Sequence, residues 1–271
     1  MNILEYDFMQ RALIAALLVG LAAPAIGTFL VQRRLSLMGD GIGHVALTGV
    51  ALGFLLRTSP VLTAIVVAIL GAVAIELIRE RGRASGDIAL ALLFYGGIAG
   101  GALLIKLSPG GTNATLVGYL FGSLSNVTAT DLWVIAGLSV TVLLTVAVFS
   151  RELFAVCQDE EVARVNGLPV RFLNLLVAVG AAVTVTVAMR VVGLLLVSAL
   201  MVVPVATTQQ LTRSFRATLV GACLVGAAAS VSGLVLAFYA DTPPGASTVV
   251  LALGAFVVAA VIGAARKAVA R

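Results

Sequence analysis

Charge is scarce in this chain. Only 11% of its 271 residues are Asp, Glu, Lys or Arg, while 61% are hydrophobic. Mean hydropathy is +1.15. A soluble globular protein does not have this balance, whereas a polytopic α-helical membrane protein does. Lysine is nearly absent. Lys106 and Lys267 are the two present, and neither is followed by Ser or Thr, so no G-x-x-x-x-G-K-[ST] phosphate loop exists and ATP hydrolysis by that route is excluded. No serine stands in a G-x-S-x-G setting. Leu37 occupies the place of the first glycine in the G-x-G-D pattern of intramembrane aspartyl proteases. Two cysteines occur, Cys157 in a charged stretch and Cys223 in an apolar run, a placement that predicts no disulfide. The N-terminal residues carry Glu5 and Asp7 and no cleavage site follows, so the first apolar run reads as a span and not a signal peptide.

What remains is mostly apolar run. At ~20 residues per span the chain accommodates nine helices in one unit, 1–271, with no room for a large soluble domain. The runs predict spans over 8–31, 37–56, 61–78, 88–105, 132–149, 172–188, 191–211, 217–239 and 248–265. The expected fold class is therefore all-α polytopic, with about nine transmembrane helices (eight to ten). Residues 116–124 are apolar but too short to span and read as a re-entrant or interfacial helix. Pro204, inside the seventh span, predicts a kink or a broken helix.

With the N-terminus outside, 13 of the 17 basic residues fall on the inner side. That bias predicts an outside N-terminus and a cytoplasmic C-terminus, and it accounts for the pI near 9.8 without nucleic-acid binding.

Two stretches carry chemistry. Asp40 and His44, the only histidine, stand four residues apart, on one face of a helix and ~6 Å apart along its axis. If the helix runs on from Arg34, His44 lies ~15 Å from the membrane surface marked by Arg33 and Arg34, near mid-bilayer, where ionisable groups are costly and functional. Carboxylate and imidazole are ligands for first-row divalent metals. One chain offers two ligands, and a second copy across a two-fold axis would offer two more. The same residues also fit a bland pattern, with Asp40 as an N-cap and His44 hydrogen-bonded within the bundle.

The second stretch is the charged loop 151–171, where seven of 21 residues are charged. Within it Asp159 reads as the N-cap of a short helix. Glu160 and Glu161 sit in its first turn, Arg164 near its last, Gly167 at C′, and Pro169 blocks continuation. Such a helix on the cytoplasmic face is a docking element by shape, or an ordinary solvated connection.

The sequence resembles the transmembrane permease subunits of bacterial ABC importers for zinc, manganese or iron. The resemblance rests on Arg33-Arg34-Leu35-Ser36-Leu37-Met38-Gly39-Asp40, on His44 with Gly49-Val50-Ala51-Leu52-Gly53, on Glu161 through Pro169, on Val202-Val203-Pro204-Val205-Ala206-Thr207 and on Pro244-Gly245. One departure is Thr48, where the family often has Pro. The resemblance implies a homodimeric permease of the bacterial inner membrane that is not itself an enzyme. It implies a cytoplasmic ATPase pair and an extracytoplasmic metal-binding protein as partners. Asp40 and His44 would be the metal site on the path, and Asp159, Glu160, Glu161, Arg164 and Gly167 the coupling helix. The metal would be cargo, zinc before manganese because imidazole suits zinc, with no resident cofactor. The alternatives are a proton-coupled secondary transporter using Asp40 and an intramembrane enzyme.

Overall fold

The computed structural model describes residues 6–80, 86–108, 118–122, 128–189 and 193–269. Every secondary-structure element with defined bounds among them is a helix: α1 Asp7–Gln32, α2 Met38–Leu55, α3 Pro60–Glu80, α4 Gly86–Leu107, α5 Ala129–Gln158, α6 Glu160–Val165, α7 Val170–Ala188, α8 Leu194–Gln209, α9 Phe215–Ala240 and α10 Pro244–Val269. Eight of these are long and apolar enough to cross a membrane. The remaining apolar one, α8, has 16 residues and is ~24 Å long, short of a ~30 Å hydrocarbon core. It starts after Gly193, whose φ of +91° breaks the helix, and so covers less than the span predicted over 191–211. Most of the helix expected over 116–124 lies outside the described residues; 118–121 form a single helical turn, and Tyr119 packs edge-on against Phe54 at 6.4 Å.

The bundle has an inner and an outer set. α1, α2 and α7 bury 72%, 67% and 67% of their apolar windows, whereas α3, α4, α5 and α10 bury 28% or less. Lipid tails are as apolar as Leu, so helices gain from close backbone approach more than from hydrophobicity. One such close crossing joins α1 to α9. Pro24 has no N–H, which frees the Gly20 carbonyl one turn earlier. Gly226 of α9 packs directly onto that carbonyl and onto the Pro24 ring, where a Cβ has no room. Any side chain at 226 would push α9 off α1.

Two expectations are corrected. α5 does not stop near residue 149 but runs 30 residues to Gln158, ~45 Å, so its last third extends past a ~30 Å core. It is started by a capping box in which Thr128 and Asp131 each bond the other's backbone N–H. The charged loop is therefore the end of α5, the six-residue α6 and two turns. Of the kink or break expected at Pro204, the break is excluded: α8 is continuous through it. Cys157 and Cys223 are free thiols.

Candidate metal site and coupling helix

α2 begins at Met38, and the N-cap position is held by Leu37, which makes no side-chain cap. Asp40 is the third helical residue and not the N-cap. Its Oδ1 accepts a hydrogen bond from Ser198 Oγ of α8 at 2.6 Å, the length of a charge-assisted O–H···O⁻ bond. Gly39, beside Asp40, faces the same helix: a Cβ there would lie 3.2 Å from Met201 Sδ and 3.6 Å from Ser198 Cβ.

His44 follows one turn on and is buried, 8% exposed. Its ring stands edge-on to Phe94 of α4, centroids 4.6 Å apart. Its Nδ1 has no hydrogen-bond partner among the described residues, so the bland reading of a satisfied core histidine does not hold at that nitrogen. Buried polar atoms are rarely left so. α4 seats against the imidazole's backbone through Gly97, where a Cβ would come within 2.7 Å of His44 C. Thr48, the departure from the family pattern, spans the same contact: its Oγ1 donates to the Gly97 carbonyl at 2.8 Å. Beside the pair opens a cleft of about 320 Å³ lined by Leu37, Asp40, Leu90, Ala91, Phe94 and Tyr95.

The depth of the pair differs from the count along the sequence. Residues 33–37 form a turn between α1 and α2, so only six helical steps, ~9 Å, separate Met38 from His44. On that count His44 stands ~9 Å, and not ~15 Å, along the helix from the arginine-rich end of the bundle. Among the described residues no three His, Cys, Asp or Glu side chains cluster to hold a metal.

At that arginine-rich end α6 is capped at both termini. Asp159 Oδ1 accepts from the Glu161 and Val162 amides at 2.8 and 3.0 Å. Gly167 takes φ +81°, and the Leu168 and Gly167 amides bond the Ala163 and Arg164 carbonyls at 3.1 and 3.0 Å, a complete Schellman motif. The two glutamates part company. Glu161 is exposed, whereas Glu160 turns into the bundle to meet Arg33, and Arg79 Nη2 at 3.3 Å. Burial would raise the Glu160 carboxyl, but the Arg33 and Arg79 charges outweigh it and hold it below its ordinary value. Val162 and Val165 point outward, 56% and 88% exposed. Arg164 is exposed in the last turn.

Sequence reasoning missed Ser198, Phe94 and the arginines around Glu160. A signal existed for Ser198, the only polar residue of α8 before Thr207. None exists for the partners of Glu160, which are 127 and 81 residues away.

The family model described as the ABC 3 transport family matches residues 5–263. The manganese transport system membrane protein MntC of Halalkalibacterium halodurans is 33% identical over 95% of this chain and 88% of its own length. The chelated iron transport system membrane protein YfeD of Yersinia pestis is 34% identical over 94% of this chain and 85% of its own. Among solved structures, PsaBC from Streptococcus pneumoniae in complex with Fab superposes with a TM-score of 0.85 at 32% identity, covering 94% of this chain and 92% of that one. An inward-facing metal-chelate type ABC transporter shares the fold, with a TM-score of 0.70 at 18% identity over 93% of this chain and 85% of that one. The matched span takes in both the Asp40–His44 helix and the capped α6, and the chain belongs to the ABC 3 transport family, the membrane-embedded permeases of metal-ion ABC importers.

Proposed function

We propose that the chain, 1–271, acts as one permease unit that passes a divalent metal ion inward past Asp40 and His44, driven by a separate ATPase pair docked on α6. The observation that carries the metal site is the buried His44 Nδ1, unpartnered among the described residues and one helical turn from Asp40, which lines the cleft. A second copy of the chain completes the ligand set, since one copy brings two ligands and zinc usually takes four. Manganese replaces zinc as the favoured cargo. The carboxylate suits manganese, no thiolate stands beside it among the described residues, and relatives such as MntC are manganese transporters by name. An extracytoplasmic metal-binding protein hands over the ion. The N-terminus is outside and the C-terminus in the cytoplasm of the bacterial inner membrane, which puts 13 of 17 basic residues inside.

The outward valines of α6 support docking there, because apolar side chains exposed beyond the spans are interaction surface. The test is uptake of manganese(II) into proteoliposomes holding the permease and its ATPase, with zinc(II) and iron(II) as competitors. Uptake requires ATP and survives collapse of the proton gradient. Uptake that follows the proton gradient without ATP would make this a secondary transporter using Asp40. Stronger competition by zinc than by manganese itself would restore zinc as the cargo.

A further inference from the structure

Glu160 is where α6 is held to the rest of the bundle. Its Oε1 receives Arg33, which caps the C-terminus of α1, Arg79 Nη2 of α3 at 3.3 Å, and Asn174 Nδ2 of α7 at 3.4 Å. The network is partly sheltered: the Arg33, Arg79 and Glu160 side chains are 6%, 23% and 36% exposed. Arg79 is itself gripped by the buried carboxylate of Glu76 through two bonds of 2.8 and 3.1 Å. A parallel bridge, Arg171 Nε to Glu80 Oε2 at 3.0 Å, joins α7 to α3. Ion pairs shielded from water are screened little by salt, and breaking one partner out of such a network is costly.

The chain beyond Arg33 leads straight to the metal site. Arg34 adopts φ +59°, and the Leu35 and Arg34 amides close a Schellman motif on the Leu30 and Val31 carbonyls at 2.8 and 3.1 Å. The Met38 amide then bonds the Leu35 carbonyl at 2.9 Å, and α2 begins with Asp40 in its first turn. From Arg33 to Asp40 the chain is seven residues of hydrogen-bonded turn and helix, with no slack segment. α6 thus has two faces. Val162, Val165 and Glu161 look outward, and Glu160 looks inward onto the turn that carries Asp40.

We propose that Glu160 is a positioning residue for transport: the tie through which displacement of α6 shifts the 33–37 turn and, with it, the Asp40 carboxylate. It touches neither the metal nor the ATPase. The proposal rests on the reading of α6 as the docking helix. Without the tie the ATPase docks and hydrolyses ATP, but the metal site no longer follows.

The experiment uses the complete importer, permease with its ATPase, in proteoliposomes, with manganese(II) as the probe. ATPase co-purification, ATP hydrolysis and manganese accumulated per ATP are measured separately. Glu160→Gln keeps the shape and removes the charge. Its ATPase co-purifies and hydrolyses ATP as in the wild type, while manganese per ATP falls at least ~5-fold, the lower end of ordinary coupling between sites. Arg33→Lys keeps the charge but loses the planar donor fork, and its ratio falls by a smaller factor. The Arg33→Gln and Glu160→Gln double variant is no worse than Glu160→Gln alone, as expected for two ends of one link. Wild-type manganese per ATP in both Glu160→Gln and Arg33→Lys overturns the tie. Loss of ATPase co-purification in Glu160→Gln also overturns it, because the carboxylate is then a docking contact. If Glu160→Gln fails to insert, Arg33→Lys decides. Val165→Asp tests the underlying reading by itself: its ATPase fails to co-purify if α6 docks it, whatever Glu160 does.

Discussion

Replacing Ser198 by Ala removes one hydroxyl and tests whether Asp40 is held for a ligand. The Ser198 Oγ to Asp40 Oδ1 distance is 2.6 Å, and hydrogen bonds to charged groups contribute about 1.5–3 kcal/mol. The loss of fold stability falls below that range, because Asp40 lines an open cleft of about 320 Å³ and water takes the hydroxyl's place. The effect on metal is larger. Partners that orient a ligating carboxylate are worth about 10–100-fold in affinity, which converts to ~1.4–2.7 kcal/mol. Ser198→Ala therefore weakens manganese(II) binding to the detergent-purified permease by about 10–100-fold with its melting temperature little changed, and Ser198→Thr restores the binding. Isothermal titration beside thermal unfolding reads both quantities. Unchanged or tighter binding in Ser198→Ala would refute the reasoning, since the hydroxyl would then be idle or competing with the metal for the same oxygen.

His44→Ala abolishes manganese uptake while membrane insertion survives; the edge-on packing against Phe94 that it removes is worth only ~0.5–1.5 kcal/mol, and uptake at the wild-type rate would remove the site. Gly167→Val costs ~1–2 kcal/mol through its left-handed backbone alone, since no atom lies within 4 Å of a Cβ there; it frays α6 and cuts ATPase co-purification several-fold, and normal docking would make the cap irrelevant. The pH dependence carries Glu160's signature. Its carboxyl sits below the ordinary 4.5 in the folded protein, so its contribution is present above that value and is lost as pH falls through the lower folded value. Glu160→Gln should flatten the acid limb of the unfolding curve below about pH 4.5 and leave neutral pH slopes alone; identical acid limbs would show the ion pairs contribute nothing.

Composition by itself determined the class. A chain with 61% hydrophobic residues has to hide its backbone polar groups in helices, and among the described residues eight of the nine apolar runs became helices long enough to span, the seventh a shorter one. Local chemistry was equally legible where it acts over one turn: Asp159 and Gly167 cap α6 because capping needs only residues three to five positions away. Boundaries were less legible. Arg151 and Glu152 read as loop, yet α5 carries them as helix, because a helix leaving the membrane has no reason to end at the first charge. The Asp40 and His44 spacing left both N-cap and ligand open. Tertiary structure removed the N-cap role: Leu37 holds that position, Asp40 receives Ser198 from 158 residues away, and His44 is buried with Nδ1 unpartnered among the described residues. The same holds for the acids of α6. Neighbours in sequence, Glu160 and Glu161 are indistinguishable until the fold brings Arg33 and Arg79 to one of them and leaves the other in water. Periodicity and capping are short-range and can be read along the chain, but the partner of a charge inside a bundle is chosen by which helices pack together.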